Sequence, residues 1–125
     1  MAALTAYRPT PRRKAQDRAF TVKSGAIIYS GAQVALNAGE LVPGGEATGL
    51  VAVGKASEGG VGGETVRVER GCFCWENAGD VTASDIGSPA YMVDDQTVSA
   101  SHATNTRSEA GTIFDVDAEG VWVEV

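Results

Sequence analysis

TVRVERGCFCWE, residues 65–76, shows the β pattern of this chain most clearly. Its first five residues alternate, with Val66 and Val68 on one side and polar residues on the other, as in a strand with one buried face. Gly71 interrupts the alternation, and we expect a bulge or a bend there. The alternation then resumes, with the two thiols on one face and the two aromatic rings on the other. This stretch predicts two consecutive strands.

Short runs of the same kind extend in both directions from this stretch, and Gly, Asn, Asp and Ser residues separate them. No segment after residue 20 has a convincing helical period, although residues 81–86 can form one turn. We predict an all-β fold, a small β-barrel or β-sandwich of about nine to ten short strands. The further strand candidates are residues 19–22, 26–29, 33–36, 41–42, 50–56, 90–93, 97–100, 111–116 and 121–125.

Three of these runs carry more specific predictions. Leu50, Val51, Ala52 and Val53 are apolar in sequence, which is typical of a strand covered on both faces. Residues 94–96 predict a tight hairpin, and residues 117–120 predict the turn of a second hairpin. Four aromatic residues on apolar strands are predicted to lie in the core: Trp75, Tyr91, Phe114 and Trp122.

Length and composition exclude several classes of protein. The chain has 125 residues, of which 43% are hydrophobic and 21% charged, as in a single globular domain. A chain of this size folds to about 6,300 Å² of accessible surface, which predicts one hydrophobic core and not two. No run of 18 apolar residues is present, so we expect no membrane span. The first 14 residues lack the apolar segment of a secretory signal, and two cysteines cannot form a disulfide-stapled scaffold.

The charge is divided unevenly along the chain. Residues 1–23 contain six basic residues and one acidic residue, whereas residues 24–125 contain four basic and fifteen acidic residues, for a total of −6. Pro9 and Pro11 favour an extended backbone near the N-terminus. We therefore predict a basic arm at residues 1–18, followed by one acidic β domain at residues 19–125. A basic arm binds nucleic acid, an acidic protein surface or the acidic body of a neighbouring copy, and the alternative is a solvated tail.

The candidates for catalysis and metal binding are weak, and we predict no catalytic residue, no metal ligand and no cofactor. Cys72 and Cys74 form half of a zinc site at best, and small buried thiols are the favoured interpretation. His102 lies near serine and aspartate residues, but no serine has the sequence context of a nucleophile elbow. Acidic residues at 94–95 and at 115–119 are typical of solvated turns, and a cation at a subunit contact stays open.

The acidic body also argues against nucleic acid as a partner. A domain without a basic stripe cannot neutralise phosphates, and only the arm could do so. The glycine-rich segment at residues 58–64 has no following lysine or helix, and two glutamates flank it. We interpret it as a surface loop.

Three segments in the C-terminal half resemble one known family. Residues 86–99, IGSPAYMVDDQTVS, are similar to the "vGdpvYvvDdqTVt" stretch of small head proteins from tailed phages and from Mu-like or lambda-like prophages. Residues 105–111, NTRSEAG, resemble their "N-T-x-x-x-A-G" segment, and residues 115–123, DVDAEGVWV, resemble their closing "vDadGvWV" hairpin. The resemblance covers roughly residues 20–125, and the family is that of capsid decoration, or cement, proteins. The basic arm departs from shorter members.

The resemblance implies a non-enzymatic virion protein that is made in the host cytoplasm. Its expected place is the outer surface of the mature capsid shell, where it would stabilise contacts between capsomers. The expected partners are the major capsid protein and further copies of the chain, with a trimer favoured over a dimer. The alternative is an attachment module, such as the base of a head fibre or a tail-associated barrel.

An extended arm suits this task because it can add a strand to the edge of a neighbouring sheet. Its arginines can pair with acidic groups on a capsid subunit or on an adjacent copy. We therefore predict that residues 7–20 contact the partner. The predicted partner-binding residues are Tyr7, Arg8, Arg12, Arg13, Lys14, Arg18 and Phe20.

Overall fold

The computed structural model of the protein describes residues 2–13 and 15–125. It confirms the all-β prediction: the described residues form twelve strands and a single 3₁₀ turn at Ala83–Asp85. No helix within these residues is long and apolar enough to cross a membrane. The strands are β1 (Asp17–Thr21), β2 (Ile27–Ile28), β3 (Gln33–Asn37), β4 (Glu40–Pro43), β5 (Val51–Ala56), β6 (Gly60–Val61), β7 (Thr65–Glu69), β8 (Cys72–Asn77), β9 (Pro89–Met92), β10 (Thr97–Ser99), β11 (Glu109–Asp117) and β12 (Gly120–Glu124).

The N-terminal half is built on an antiparallel sheet with the strand order β1-β7-β5-β3-β4. Val66 and Val68 of β7 are buried, as the alternation predicts. The sheet curls so that its two edges approach each other, and Val22, directly after β1, forms a parallel bridge with Leu41 of β4. β2 and β6 form a separate two-stranded sheet. The two edge strands, β1 and β4, therefore meet at the C-terminal end of β1.

The C-terminal half is a closed barrel with the order β10-β8-β12-β11-β9. Both predicted hairpins are confirmed, since β9 pairs antiparallel with β10 and β11 pairs antiparallel with β12. β8 and β10 pair in parallel and complete the ring. Trp75 of β8 points into the barrel and is 7% exposed. Closure leaves this half without a free sheet edge.

The prediction of a single hydrophobic core is wrong, because the buried residues divide into two clusters. One cluster fills the barrel and the other lies under the N-terminal sheet. The two clusters meet at β5, where Ala52 packs on the barrel cluster and Val53 belongs to the other. Val51 is 60% exposed, so the predicted cover on both faces holds for only part of the apolar run.

Polar contacts join the two halves where they meet. The buried Gln33 of β3 donates through Nε2 to the carbonyls of Asp94, at 2.6 Å, and Thr97, at 3.0 Å. The Ser108 hydroxyl donates to the Ala47 carbonyl at 2.6 Å. An ion pair between Arg107 and Glu46, at 3.0 Å, lies beside them. These contacts hold the 94–97 hairpin and the 101–108 loop of the barrel half against the N-terminal half.

Candidate partner-binding site

The N-terminal arm is exposed along the whole of residues 2–13. Its hydrogen bonds are local: Arg8 donates to the Thr10 hydroxyl at 2.9 Å, and the Thr10 N–H donates to the Arg8 carbonyl at 2.8 Å. Tyr7, Arg8, Arg12 and Arg13 are all exposed, and no salt bridge involves them within the described residues. Lys14 lies outside the described residues. The arm thus presents its positive charge to solvent.

The structure places Arg18 and Phe20 in the sheet and not in the free arm. Both belong to β1, which pairs with β7 over five residues, from Asp17 opposite Glu69 to Thr21 opposite Thr65. The Arg18 guanidinium lies 5.1 Å from the centre of the Phe20 ring, within the range of a cation–π contact. Phe20 in turn packs on the N-terminal cluster, which is why the strand forms here. The free arm is therefore shorter than residues 1–18, and from here on "basic arm" means the part before β1.

The hydrogen bonds at the two ends of β1 show which of its residues bond to β7. The Arg70 N–H donates to the Gln16 carbonyl at 2.7 Å, and the Val22 N–H donates to the Glu64 carbonyl at 2.8 Å. Both bonds use even-numbered residues of the β1 segment. Since alternate residues of an antiparallel strand direct their backbone groups to opposite sides, Arg18 and Phe20 also bond towards β7.

The odd-numbered residues of β1 direct their backbone groups away from β7. These residues are Asp17, Ala19 and Thr21, and all three are exposed. Lys23, the next odd-numbered residue, donates its N–H to the Leu41 carbonyl at 2.9 Å, as this phase requires. The start of β4 lies beside Thr21 through the parallel bridge between Val22 and Leu41, and no strand in the described part of the chain pairs with the outer side of Asp17 and Ala19. We call the outward backbone groups of Asp17 and Ala19 the β1 edge.

A second exposed feature is the outer face of the barrel around Trp122. Trp122 lies on β12 between Cys74 of β8 and Asp115 of β11, and its indole N–H donates to Asp117 at 2.9 Å. Phe114, predicted to lie in the core, is 61% exposed at the bulge of β11. The core prediction for these two aromatic residues is wrong, because both point away from the barrel interior. The carboxylates of Asp115, Asp117, Glu119 and Glu124 lie on this outer face, which we call the acidic barrel face.

The two thiols lie on the acidic barrel face and not in the core, which corrects the prediction of buried thiols. Cys72 is exposed and Cys74 is half-buried. Even so, partial loss of water around the sulfur raises the pKa of Cys72, and the charges of Glu124 and Asp115 raise it further. The same loss of water, followed by the charges of Asp117 and Glu119, raises the pKa of Cys74. Both thiols are therefore weak nucleophiles at neutral pH.

The His102 loop uses its polar side chains to hold its own backbone. His102 accepts a hydrogen bond at Nδ1 from the Asn105 N–H at 2.9 Å, and the Ser101 hydroxyl accepts one from the Ala103 N–H at 3.0 Å. Ala103, Thr104 and Asn105 all have positive φ angles, which are unfavourable for residues other than glycine. These hydrogen bonds therefore stabilise a strained backbone. The His102 ring also meets the edge of Tyr91, at 5.8 Å between centroids. Within residues 2–13 and 15–125, no three His, Cys, Asp or Glu side chains are placed to hold a metal ion.

The sequence predicts the basic arm, but it does not predict the β1 edge or the acidic barrel face. The edge depends on which strands pair, which no local pattern of residues reports. The acidic barrel face can be recognised in the sequence, because acids at residues 115, 117, 119 and 124 surround a tryptophan on two adjoining strands.

Comparisons with protein-family models, with curated proteins and with solved structures found no match for this chain.

Proposed function

We propose that this protein is a capsid decoration, or cement, protein that binds the outer surface of a mature phage capsid shell and stabilises the contacts between capsomers. The observation that carries the proposal is an exposed basic arm attached to an acidic β body. The arm, residues 1–16, carries a net charge of +4, and residues 17–125 carry −10. The resemblance of residues 86–123 to phage decoration proteins supports the same function.

The physical mechanism needs no chemistry. A protein that binds the assembled shell but not its free subunits stabilises the shell by mass action. Many copies on one shell act together, so a small binding energy at each site is sufficient. Neither the raised pKa values of the thiols nor the bonds within the His102 loop favour nucleophilic catalysis.

The basic arm is the part we expect to reach across a joint between capsomers. Its arginines are exposed and free of salt bridges in the described chain, so they can pair with carboxylates of the major capsid protein. The two prolines keep the arm extended, which lowers the entropy lost on binding. The compact body would then lie on top of the shell.

The test mixes purified protein with undecorated, expanded heads and images the heads by electron microscopy. We expect the intact protein to occupy the shell and to raise the temperature at which heads release DNA. An R12E/R13E variant should lose occupancy, because two of the four positive charges of the arm are reversed. R67E/R70E is the matched control: it makes the same change in net charge at exposed positions of the body, and it should bind as the intact protein does.

Deleting residues 2–15 provides a second arm variant that leaves β1 in place. We expect a folded protein that no longer occupies heads. Full occupancy by the deletion variant would show that the arm is not needed for binding to heads. Binding to tails but not to heads would favour the attachment-module alternative and contradict the decoration function.

A further inference from the structure

The negative charge of the body is concentrated on the barrel half. Residues 71–125 contain ten acidic residues and one basic residue, Arg107, which pairs with Glu46 at 3.0 Å. Residues 17–70 contain six acidic and five basic residues, so the N-terminal half of the body is nearly neutral. No salt bridge within the described residues reaches the four carboxylates of the acidic barrel face. A cation that pairs with this face therefore comes from outside the barrel half.

Three adjoining strands, β8, β12 and β11, form the acidic barrel face. Trp122 lies at its centre, between Cys74 and Asp115, and the bond from its indole N–H to Asp117 holds the ring in place. The ring of Phe114 is exposed beside it. Carboxylates pair with a guanidinium group, and an indole ring stacks on it. The face therefore has the two kinds of group that bind arginine best.

The basic arm has the matching chemistry. Arg8, Arg12, Arg13 and Lys14 give it four positive charges, and it contains no acidic residue. Residues 2–13 are exposed and make no salt bridge within the described chain, so the arm does not cover the face of its own copy. We propose that the acidic barrel face binds the basic arm of a second copy of this chain. This inference does not depend on the proposed function, because it concerns only contacts between copies.

The spacing of the arm charges fits the spacing of the carboxylates. Asp117 lies opposite Gly120, which is four residues from Glu124 along β12, so the two carboxylates lie at sites about 14 Å apart. Arg8 and Arg12 are also four residues apart, which is about 12 Å in the extended backbone that the two prolines between them favour. One arm can therefore place an arginine at each end of the face at the same time.

The contact joins different surfaces of the two copies, so it is heterologous. Each copy would give its arm to one neighbour and receive an arm on its own face. A closed ring of three such contacts would match the trimer that the family resemblance implies. Because ion pairs on an exposed surface contribute little each, we expect the contact to be weak between free copies and stronger where copies are held side by side.

Binding of an arm peptide tests which surface receives the arm. The probe is a dye-labelled synthetic peptide of residues 1–16, and fluorescence anisotropy measures its binding to the full-length protein at low ionic strength, where screening is weakest. D115N/E124Q should weaken binding at least about fivefold, because the face loses two charges. Asparagine at position 115 keeps an oxygen for the hydrogen bond from the Val116 N–H. D94N/E58Q, which removes two exposed charges elsewhere, is the matched control and should bind as the intact protein does.

Equal binding by D115N/E124Q and the intact protein would contradict the proposal, and so would an equal loss in the control, because binding would then follow net charge alone. Circular dichroism establishes that both variants are folded. The peptide provides a test that needs no folded variant: R8Q/R12Q in the peptide should weaken its binding to the intact protein by a similar factor. An unchanged affinity of that peptide would also overturn the proposal.

Isotope mixing shows from which copy the arm comes. Nitrogen-15-labelled and unlabelled full-length proteins are mixed in equal amounts, and a carbodiimide couples the amines of the arm, at Lys14 or at the N-terminus, to nearby carboxylates. Mass spectrometry should find links to the acidic barrel face in which one peptide is labelled and the other is not. Links that always join peptides with the same label would overturn the proposal, because the arm would then lie on the face of its own copy. Heads that are occupied by protein without links between copies would leave the proposed function in place and show this inference to be wrong.

Discussion

Gly54 shows how closely two backbones approach in the N-terminal sheet. It lies in β5 at a φ of +129°, next to the bulge opposite Val34 and Ala35, and a Cβ there would overlap the carbonyl oxygen of Glu69. We expect G54A to lower the free energy of unfolding by about 2–4 kcal/mol, because the φ angle and the overlap both oppose a side chain. Urea denaturation measures this change. G45A is the control, since a Cβ there meets no atom within 4 Å, and equal losses in the two variants would contradict the argument.

The two thiols give a prediction about pH. Loss of water around each sulfur and the neighbouring carboxylates raise both pKa values, so iodoacetamide should modify the folded protein more slowly than the urea-unfolded chain at pH 8. E124Q should speed modification of Cys72, because one repelling charge is removed. E58Q, on the other half of the protein, should leave the rate unchanged. Peptide mass spectrometry reports the rate at each cysteine, and an unchanged Cys72 rate in E124Q would count against the electrostatic cause.

The same shifts determine how stability depends on alkaline pH. The folded pKa lies above the unfolded pKa, so the unfolded chain loses its thiol protons first as pH rises. The stabilising contribution is complete below the unfolded pKa and disappears as pH rises through the folded pKa. Replacing both cysteines with serine should make stability less dependent on pH in the alkaline range. Urea melts at several alkaline pH values test this, and an equally steep decline in the serine variant would assign it to other groups.

The hairpin formed by β9 and β10 depends on a residue from another sheet. Gln33 of β3 is 3% exposed and donates to two carbonyls of the hairpin turn, those of Asp94 and Thr97. We expect Q33M to cost about 2–3 kcal/mol, because the side-chain volume is kept while two carbonyls lose their donor. The Val93 amide, which bonds to Thr97 across the turn, should exchange hydrogen faster. Q96M, at the exposed tip of the same turn, is the control, and similar losses in both variants would show that Gln33 does not hold the hairpin.

Two hydrophobic clusters in one chain raise the question of whether the halves unfold separately. Gln33, Ser108 and the Arg107–Glu46 pair join them, and β5 packs on both clusters. We therefore expect one cooperative transition. Tryptophan fluorescence reports the barrel, which contains both tryptophans, and far-ultraviolet circular dichroism reports both halves. The two urea melts should coincide, and two separate midpoints would mean that the joining contacts are weak.

The basic arm should contribute little to this stability. Residues 2–13 are exposed, and their hydrogen bonds stay within the arm. Deleting residues 2–15 should change the melting temperature by no more than about 2 °C, because no buried surface is lost. Scanning calorimetry gives the value. A large decrease would mean that the arm packs on the body in solution.

The accessible surface of the molecule, 7608 Å², exceeds the roughly 6,300 Å² expected for a compact chain of this size. The exposed arm and the division of the core into two clusters explain why the surface is larger than expected. The scaling of surface with chain length assumes one compact body, which is why it predicts one core. Composition cannot distinguish one cluster of buried residues from two that share a strand.

The local patterns in the sequence were sufficient for the all-β class, for the alternation in β7 and β8, and for the two hairpins. Alternation has a period of two residues, so neighbouring positions reveal it without knowledge of distant contacts. The separation of charge between the arm and the body is a matter of composition and is equally visible. Strand pairing decided the rest: Asp17 and Arg18 joined the sheet, the β1 edge stayed open, and the thiols and Trp122 faced outward. Those outcomes depend on residues 40 or more positions apart in the sequence, as β1 and β7 are, and a local pattern carries no information about such partners.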